Sequence, residues 1–152
     1  MKIVAATNNP HKIKEIKSVL DNSFTLVSLS DIDIVEDIPE NEDTLEANAR
    51  AKAMYINNKN GMDVFADDTG LEVACLGNRP GVHSARYAGD QRDSNDNIDL
   101  LLKEMEGSQD RTARFRTVIV LILNGKEHLF EGIVNGKIAK NRSGNKGFGY
   151  DP

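Results

Sequence analysis

The sequence predicts an α/β protein with a mixed sheet flanked by helices, and three observations predict it. The chain opens with a strand, a polar turn and a helix; two further stretches carry helical periodicity; and a long β-branched run ends at an Asn-Gly pair. Residues 2–7 read as a buried first strand, broken by Asn8-Asn9-Pro10. From His11, the apolar residues Ile13, Ile16 and Leu20 recur at helical spacing, with Lys and Glu filling the other face. A second helix is expected to begin near Asp43 or Thr44, which are good cap residues, and to run through residues 45–53 towards Ile56. Asn48 and Lys52 stand four apart and so share one face of it. A third helix carries Ile98, Leu101, Leu102 and Met105 on one stripe, with Gly107 as its stop. Residues 115–123 then read as a strand, and Asn124-Gly125 as a hairpin turn into a partner over residues 127–133. Asn135-Gly136 predicts another turn, leading to a short strand near Ile138 and a glycine-rich end over residues 144–152.

At 152 residues, 39% hydrophobic and 28% charged, the chain fits one domain over residues 1–152, and no repeat or linker divides it. A net charge of −5 excludes nucleic-acid binding through a broad basic surface, which needs clustered Lys and Arg. A small phosphorylated ligand needs only a local basic cluster. Cys75 is the one cysteine, so no intrachain disulfide framework and no thiolate metal site can form, which fits a reducing cytosol. Its expected place is in the interior, as a small apolar residue. No signal-peptide pattern opens the chain, and no apolar run is long enough to span a bilayer, so the expectation is a cytoplasmic protein without membrane contact.

The run Ala66-Asp67-Asp68-Thr69-Gly70-Leu71 concentrates the candidate chemistry. Val64, Phe65 and Ala66 read as the end of a buried strand and Gly70 as a turn, which places the two carboxylates at a strand's carboxyl end, where α/β sheets bind ligands. One carboxylate could hold a divalent cation while the other takes a proton from water; a solvated Asp-Asp turn is the plainer alternative. In Thr7-Asn8-Asn9-Pro10-His11-Lys12 the start of a helix offers backbone N–H groups and Lys12 a mobile cation, together a seat for phosphate; otherwise the segment is a helix-capping turn with a solvated lysine.

The acidic stretch Glu36-Asp37-Ile38-Pro39-Glu40-Asn41-Glu42-Asp43 could turn one carboxylate towards Asp67 and Asp68, and the residues alone do not choose which. Two or three carboxylates with waters and phosphate oxygens would make a Mg²⁺ site that substrate completes. Pro80-Gly81-Val82-His83-Ser84-Ala85-Arg86-Tyr87 offers an Arg and a hydroxyl for a phosphate, or a loop pinned by an Arg–carboxylate pair. His11, His83 and His128 are isolated and are expected in packing or at the surface. In Gly147-Phe148-Gly149-Tyr150-Asp151 the glycines free two rings to lie along a flat ligand, with Asp151 accepting from a ring N–H; core aromatics at a strand edge are the alternative.

These motifs together resemble the inosine triphosphate pyrophosphatase family, also called non-canonical purine NTP pyrophosphatases or Ham1-like proteins. The resemblance runs from end to end. It rests on Thr7-Asn8 with Lys12, Glu46-Ala47-Asn48-Ala49 with Lys52-Ala53, Ala66 to Leu71, Pro80-Gly81 with Ser84-Ala85-Arg86-Tyr87, Ala113-Arg114-Phe115, and Gly147 to Pro152. It implies an elongated mixed sheet with helices, two lobes around a central cleft, and a homodimer. It implies Mg²⁺-dependent hydrolysis of ITP, dITP and XTP between the α and β phosphorus atoms, giving the monophosphate and pyrophosphate.

By motif position, Thr7, Asn8, Asn9, Pro10, His11 and Lys12, with Lys52, would hold the triphosphate. Glu40 and Asp68 would ligate the cation, and Asp68 would also be the base for water. Thr69 would touch substrate, and Phe148, Gly149, Tyr150 and Asp151 would border the nucleoside. The family continues past Asp-Pro with a strand, a further Lys, a Ser-His-Arg motif and a final helix that help recognise the purine's 6-keto group. Relative to that pattern the chain is expected to be C-terminally truncated. Thr69 stands where serine is commoner, and the hydroxyl is kept. Two other functions fit the same residues: a nucleotide-binding module without turnover, in which the acids merely balance charge, and a housecleaning pyrophosphatase for other modified nucleotides such as methylated pyrimidines.

Overall fold

The computed structural model describes residues 1–152 apart from Asn22, Asp37 and Asn145. Asp37 of the acidic stretch and Asn145 of the glycine-rich end therefore lie outside the described residues. Among the described residues six strands form one mixed sheet with three α-helices: β1 (Lys2–Ala5), α1 (Pro10–Val19), β2 (Thr25–Val27), α2 (Leu45–Asn60), β3 (Val64–Val73), β4 (Arg79–Gly81), α3 (Ser94–Glu104), β5 (Thr112–Leu123) and β6 (Lys126–Lys137). The order across the sheet is β2-β1-β3-β5-β6, with β4 on β3. Strand β1 runs parallel to β2 and β3, whereas β3 and β4 are antiparallel. The chain divides into two compact units, Met1–Asp68 with Val118–Glu131 and Thr69–Thr117 with Gly132–Pro152.

In the first unit, α1 and α2 start where the sequence places them. The Asn9 side chain accepts from His11 N and Lys12 N to cap α1, and Thr44 accepts from Ala47 N to cap α2. Helix α2 runs one turn beyond Ile56 and ends on Gly61 in the left-handed region. Its inner face, Leu45, Ala49, Ala53 and Ile56, is buried, as are Val4, Ala5, Val64, Ala66, Val118, Val120 and Ile122 of the strands. The alternation along β5 is that of a strand with one face in the core.

In the second unit, Leu71, Val73, Leu101, Met105 and Ala113 form the core, with Leu76, Tyr87, Phe115, Ile138 and Tyr150 packed against it. The Asp93 side chain caps α3 by accepting from Asn95 N and Asp96 N.

Four expectations are corrected. Gly70 makes no turn: β3 continues through it to Val73, because β4 lies against it and a Cβ there would stand 2.6 Å from the Gly81 carbonyl oxygen. A glycine inside a strand thus marks a close backbone approach. Asn135-Gly136 makes no turn either, since β6 runs unbroken to Lys137 and Ile138 instead donates its N–H to Arg111 O at 2.9 Å. Cys75 is exposed, because it sits in the short turn that follows β3. The first strand ends at Ala5, where Thr7 N bonds back to Ala5 O and turns the chain. Asn124-Gly125 makes the hairpin turn as expected, with φ of 50° and 72°. The short strands β2 and β4 carry no sequence signal that identified them.

Candidate active site

The first unit gathers charge where burial makes it costly. Parallel pairing of β1 with β3 stops at Ala5 and Phe65, and Asp67 and Asp68 follow on β3 just beyond it. The acids are therefore mid-strand, rather than at the strand's own end, yet still past the carboxyl end of the parallel pair. Consecutive strand residues point to opposite faces, and the contacts agree. Asp67 Oδ2 accepts from Lys12 Nζ of α1 at 2.5 Å, whereas Asp68 Oδ2 accepts from Asn48 Nδ2 of α2 at 3.1 Å.

Lys52 is buried one turn along α2 from Asn48 and donates to Glu40 Oε1 at 2.5 Å and to the Asp67 carbonyl at 2.7 Å. One residue, Asp67, thus anchors both lysines, Lys12 by its side chain and Lys52 by its backbone.

The acidic stretch separates into parts. Glu36 pairs with Lys59 and accepts from Tyr55 OH at the far end of α2, and these bonds hold its carboxyl down at about 2. Glu40 faces Lys52, and the Glu42 N–H donates to Asn48 Oδ1 at 3.0 Å. Of the stretch, Glu40 is the carboxylate the structure brings to the buried lysine.

The surroundings of Asp68 on balance oppose its ionisation. Burial, the largest influence, pushes its carboxyl above the ordinary aspartate range; Lys52 opposes this, Glu40 adds to it, and the Asn48 bond and Lys12 oppose it further. Asp67 Oδ1 is buried with no hydrogen-bond partner among the described residues. An unpaired buried carboxylate oxygen is a standing demand for a cation or a donor.

Among the described residues, no three His, Cys, Asp or Glu side chains are gathered as a closed metal cage. Mg²⁺ binds through one or two carboxylates and completes its shell with water and phosphate oxygens. Glu40, whose charge acts on Asp68, and Asp68 itself fit that open mode.

The phosphate turn is more occupied than its sequence suggests. Asn9 N donates to Thr7 Oγ1 at 3.1 Å, and Asn9 Oδ1 takes the His11 and Lys12 N–H groups at 2.9 and 3.4 Å. The helix start is therefore capped from within, and a phosphate there would share those donors with Asn9. Asn8, Pro10 and His11 are exposed, and Lys12 reaches inward from the turn.

The remaining candidate residues belong to the second unit. Thr69 Oγ1 lies 2.9 Å from Thr117 Oγ1. Phe148 is half-buried, and its N–H donates to Asp151 Oδ2 at 3.0 Å, so the carboxylate closes its own turn. The Tyr150 ring lies in the core cluster, and its hydroxyl donates to Ser84 O at 2.8 Å. Ser84 accepts from Leu71 N and donates to Gly81 O, which makes Pro80 to Tyr87 a pinned structural loop at that residue. His83 and His128 are exposed.

Asp67 and Asn48 stand in the sequence motifs without a role of their own, and the structure joins the first to Lys12 and the second to Asp68.

The Ham1 family model matches residues 3–152. The chain is 57% identical over 152 residues to a dITP/XTP pyrophosphatase of Flavobacterium psychrophilum, covering all of this chain and 80% of that protein. Its fold matches the Ham1 protein of Staphylococcus aureus with a TM-score of 0.90 at 37% identity, covering all of this chain and 79% of that one. A HAM1 protein from Coxiella burnetii matches with a TM-score of 0.92 at 35% identity, covering all of this chain and 80% of that one. A match over nearly every residue, in sequence and in fold, has one reading: this chain belongs to the Ham1 family.

Proposed function

We propose that the chain hydrolyses the non-canonical purine nucleoside triphosphates dITP, ITP and XTP to the monophosphate and pyrophosphate, with Mg²⁺, and so clears them from the nucleotide pool. It is an enzyme of the nucleoside triphosphate pyrophosphatase class, the class that its relatives' names carry. The observation that carries the reaction is Asp68, a buried carboxylate held above its ordinary protonation range beside Glu40 and two lysines. A base tuned in that direction takes a proton from water more readily near neutral pH.

In the proposed reaction Asp68 accepts the proton of the attacking water, the water oxygen bonds to phosphorus, and the α–β bridge breaks to release pyrophosphate. Lys12 and Lys52 leave or share their carboxylate partners and neutralise phosphate oxygens. The Thr7, Asn8, Asn9, Pro10 and His11 turn flanks the phosphates. Mg²⁺, held by Glu40 and Asp68, would neutralise charge on the triphosphate. Thr69 and, at the nucleoside end, Phe148, Gly149, Tyr150 and Asp151 complete the proposed contacts, so that residues 1–152 act as one pyrophosphatase domain.

We place the enzyme in the cytoplasm as a homodimer acting on a small nucleotide, with neither nucleic acid nor membrane as partner. A net charge of −5 supports the part of that reading that concerns nucleic acid, and among the described residues no helix is long and apolar enough to cross a membrane. A nucleotide-binding module without turnover has one observation in its favour: the acids Asp67 and Glu40 do balance Lys12 and Lys52.

Pyrophosphate release from ITP, dITP and XTP beside GTP, ATP and methylated pyrimidine triphosphates, with Mg²⁺ and with EDTA, separates these readings. Metal-dependent release favouring the first three substrates is expected. Tight nucleotide binding without release would establish the binding module, and release chiefly from methylated pyrimidine triphosphates would reassign the substrate.

A further inference from the structure

Asn48 is 1% exposed on the inner face of α2, and its amide joins two separate pieces of the site. A side-chain amide has direction, since its oxygen accepts and its nitrogen donates. Here Oδ1 takes the Glu42 N–H at 3.0 Å and Nδ2 donates to Asp68 Oδ2 at 3.1 Å. A backbone N–H only donates and an ionised carboxylate only accepts, so both ends demand the same orientation of the amide.

Glu42 lies two residues beyond Glu40, and Glu40 is held by Lys52, one turn along the same helix face. Helix α2 therefore grips Glu40 with a lysine and Asp68 with an amide, and the amide also fixes the segment that carries Glu40.

We propose that Asn48 is a positioning residue, which ties the Glu40 segment to Asp68 and sets the direction in which the Asp68 carboxylate presents itself. The inference rests on the role proposed above for Asp68. Asn48 touches neither substrate nor water in this account; it acts by limiting where the Asp68 oxygens can go. Misplacing a reacting group by a small distance costs rate more than binding.

The test compares Asn48→Asp and Asn48→Ala with wild type in the full chain, at saturating Mg²⁺ and with ITP. Asn48→Asp keeps the shape and the acceptor for Glu42 but turns the donor into a second carboxylate against Asp68. It should lower kcat about 100-fold while KM moves by less than about threefold. Hydrogen exchange at the Glu42 amide should be unchanged in Asn48→Asp and clearly faster in Asn48→Ala, whose kcat also falls. A kcat for Asn48→Asp within about threefold of wild type overturns the proposal. Parallel loss of kcat, KM and melting temperature also overturns it, because that is the signature of a merely structural residue.

Should Asn48→Asp not fold, the kcat and Glu42 exchange of Asn48→Ala decide the matter. Absence of turnover by the wild type would sink the pyrophosphatase reading instead; slow Glu42 exchange retained in Asn48→Ala would sink the tie itself.

Discussion

Two buried asparagines on helices, Asn48 in the first unit and Asn97 in the second, do the same local job with different consequences. Asn97 is 4% exposed; its Oδ1 accepts from Ala88 N at 2.7 Å and its Nδ2 donates to Ala85 O at 3.0 Å. Both of its partners are backbone groups of one loop. Asn48 has one backbone partner and one carboxylate. The difference extends to their surroundings. Buried polar groups of the second unit, Ser84 and Asn97, are neutral and close loops, whereas those of the first include Lys52, Asp67 and Asp68. Neutral amides and hydroxyls satisfied by backbone cost little to bury, while carboxylates and ammonium groups cost much more. A fold that retains them in one unit has a use for their charge.

The comparison breaks most sharply at Asp68. Asp68→Asn should reduce pyrophosphate release about 1,000-fold, with nucleotide binding kept within a few-fold; a fully active variant would refute the assigned base. In EDTA the same variant should melt above wild type at neutral pH, because it removes an ionisation that burial opposes. The sign follows from linkage: a carboxyl raised in the folded state costs stability as pH rises through its folded value. The two melting curves should therefore converge as pH falls below the ordinary aspartate range.

Next in size is Gly70→Ala, which sets a methyl group against the Gly81 carbonyl of β4 and should cost about 3 kcal/mol in urea unfolding. Any residual activity should then track the folded fraction. Asn97→Ala should cost about 2 kcal/mol, a melting loss of roughly 6 °C, with kcat per folded molecule unchanged. Should kcat collapse there as well, buried asparagines would not divide into loop ties and positioning groups. The smallest effect belongs to Glu36→Gln. Its exposed pair with Lys59 contributes stability above the ordinary glutamate range and loses it as pH falls towards about 2. Wild type and variant should therefore differ little at neutral pH in a thermal scan, and not at all in strong acid.

Much of this was legible in the chain. The three helices showed themselves by apolar period and by cap residues: Asn9, Thr44 and Asp93 all cap, the last without having been singled out. The hairpin at Asn124-Gly125 was legible because two successive positive φ angles leave few residue choices. Gly70 misled, since a glycine that admits a neighbouring strand and a glycine that turns the chain look identical in sequence. Asn135-Gly136 misled similarly, on a strand exposed along all twelve residues. Strands β2 and β4, three residues each, are too short to carry a period.

The chemistry divides along the same line. Residue types and ordered motifs in the sequence alone determined the family and the α/β class and named the candidate acids and lysines, because these are properties of local pattern. Which acid meets which lysine was decided only by the tertiary structure. Asp67 and Asp68 are neighbours in sequence, yet strand pleating sends one to Lys12 and the other to Asn48. Glu40 reaches Lys52, and Glu36 goes to Lys59 at the far end of the same helix. Those choices, and the burial that lifts the Asp68 carboxyl above the ordinary aspartate range, depend on residues far apart in the chain, and no local pattern encodes them.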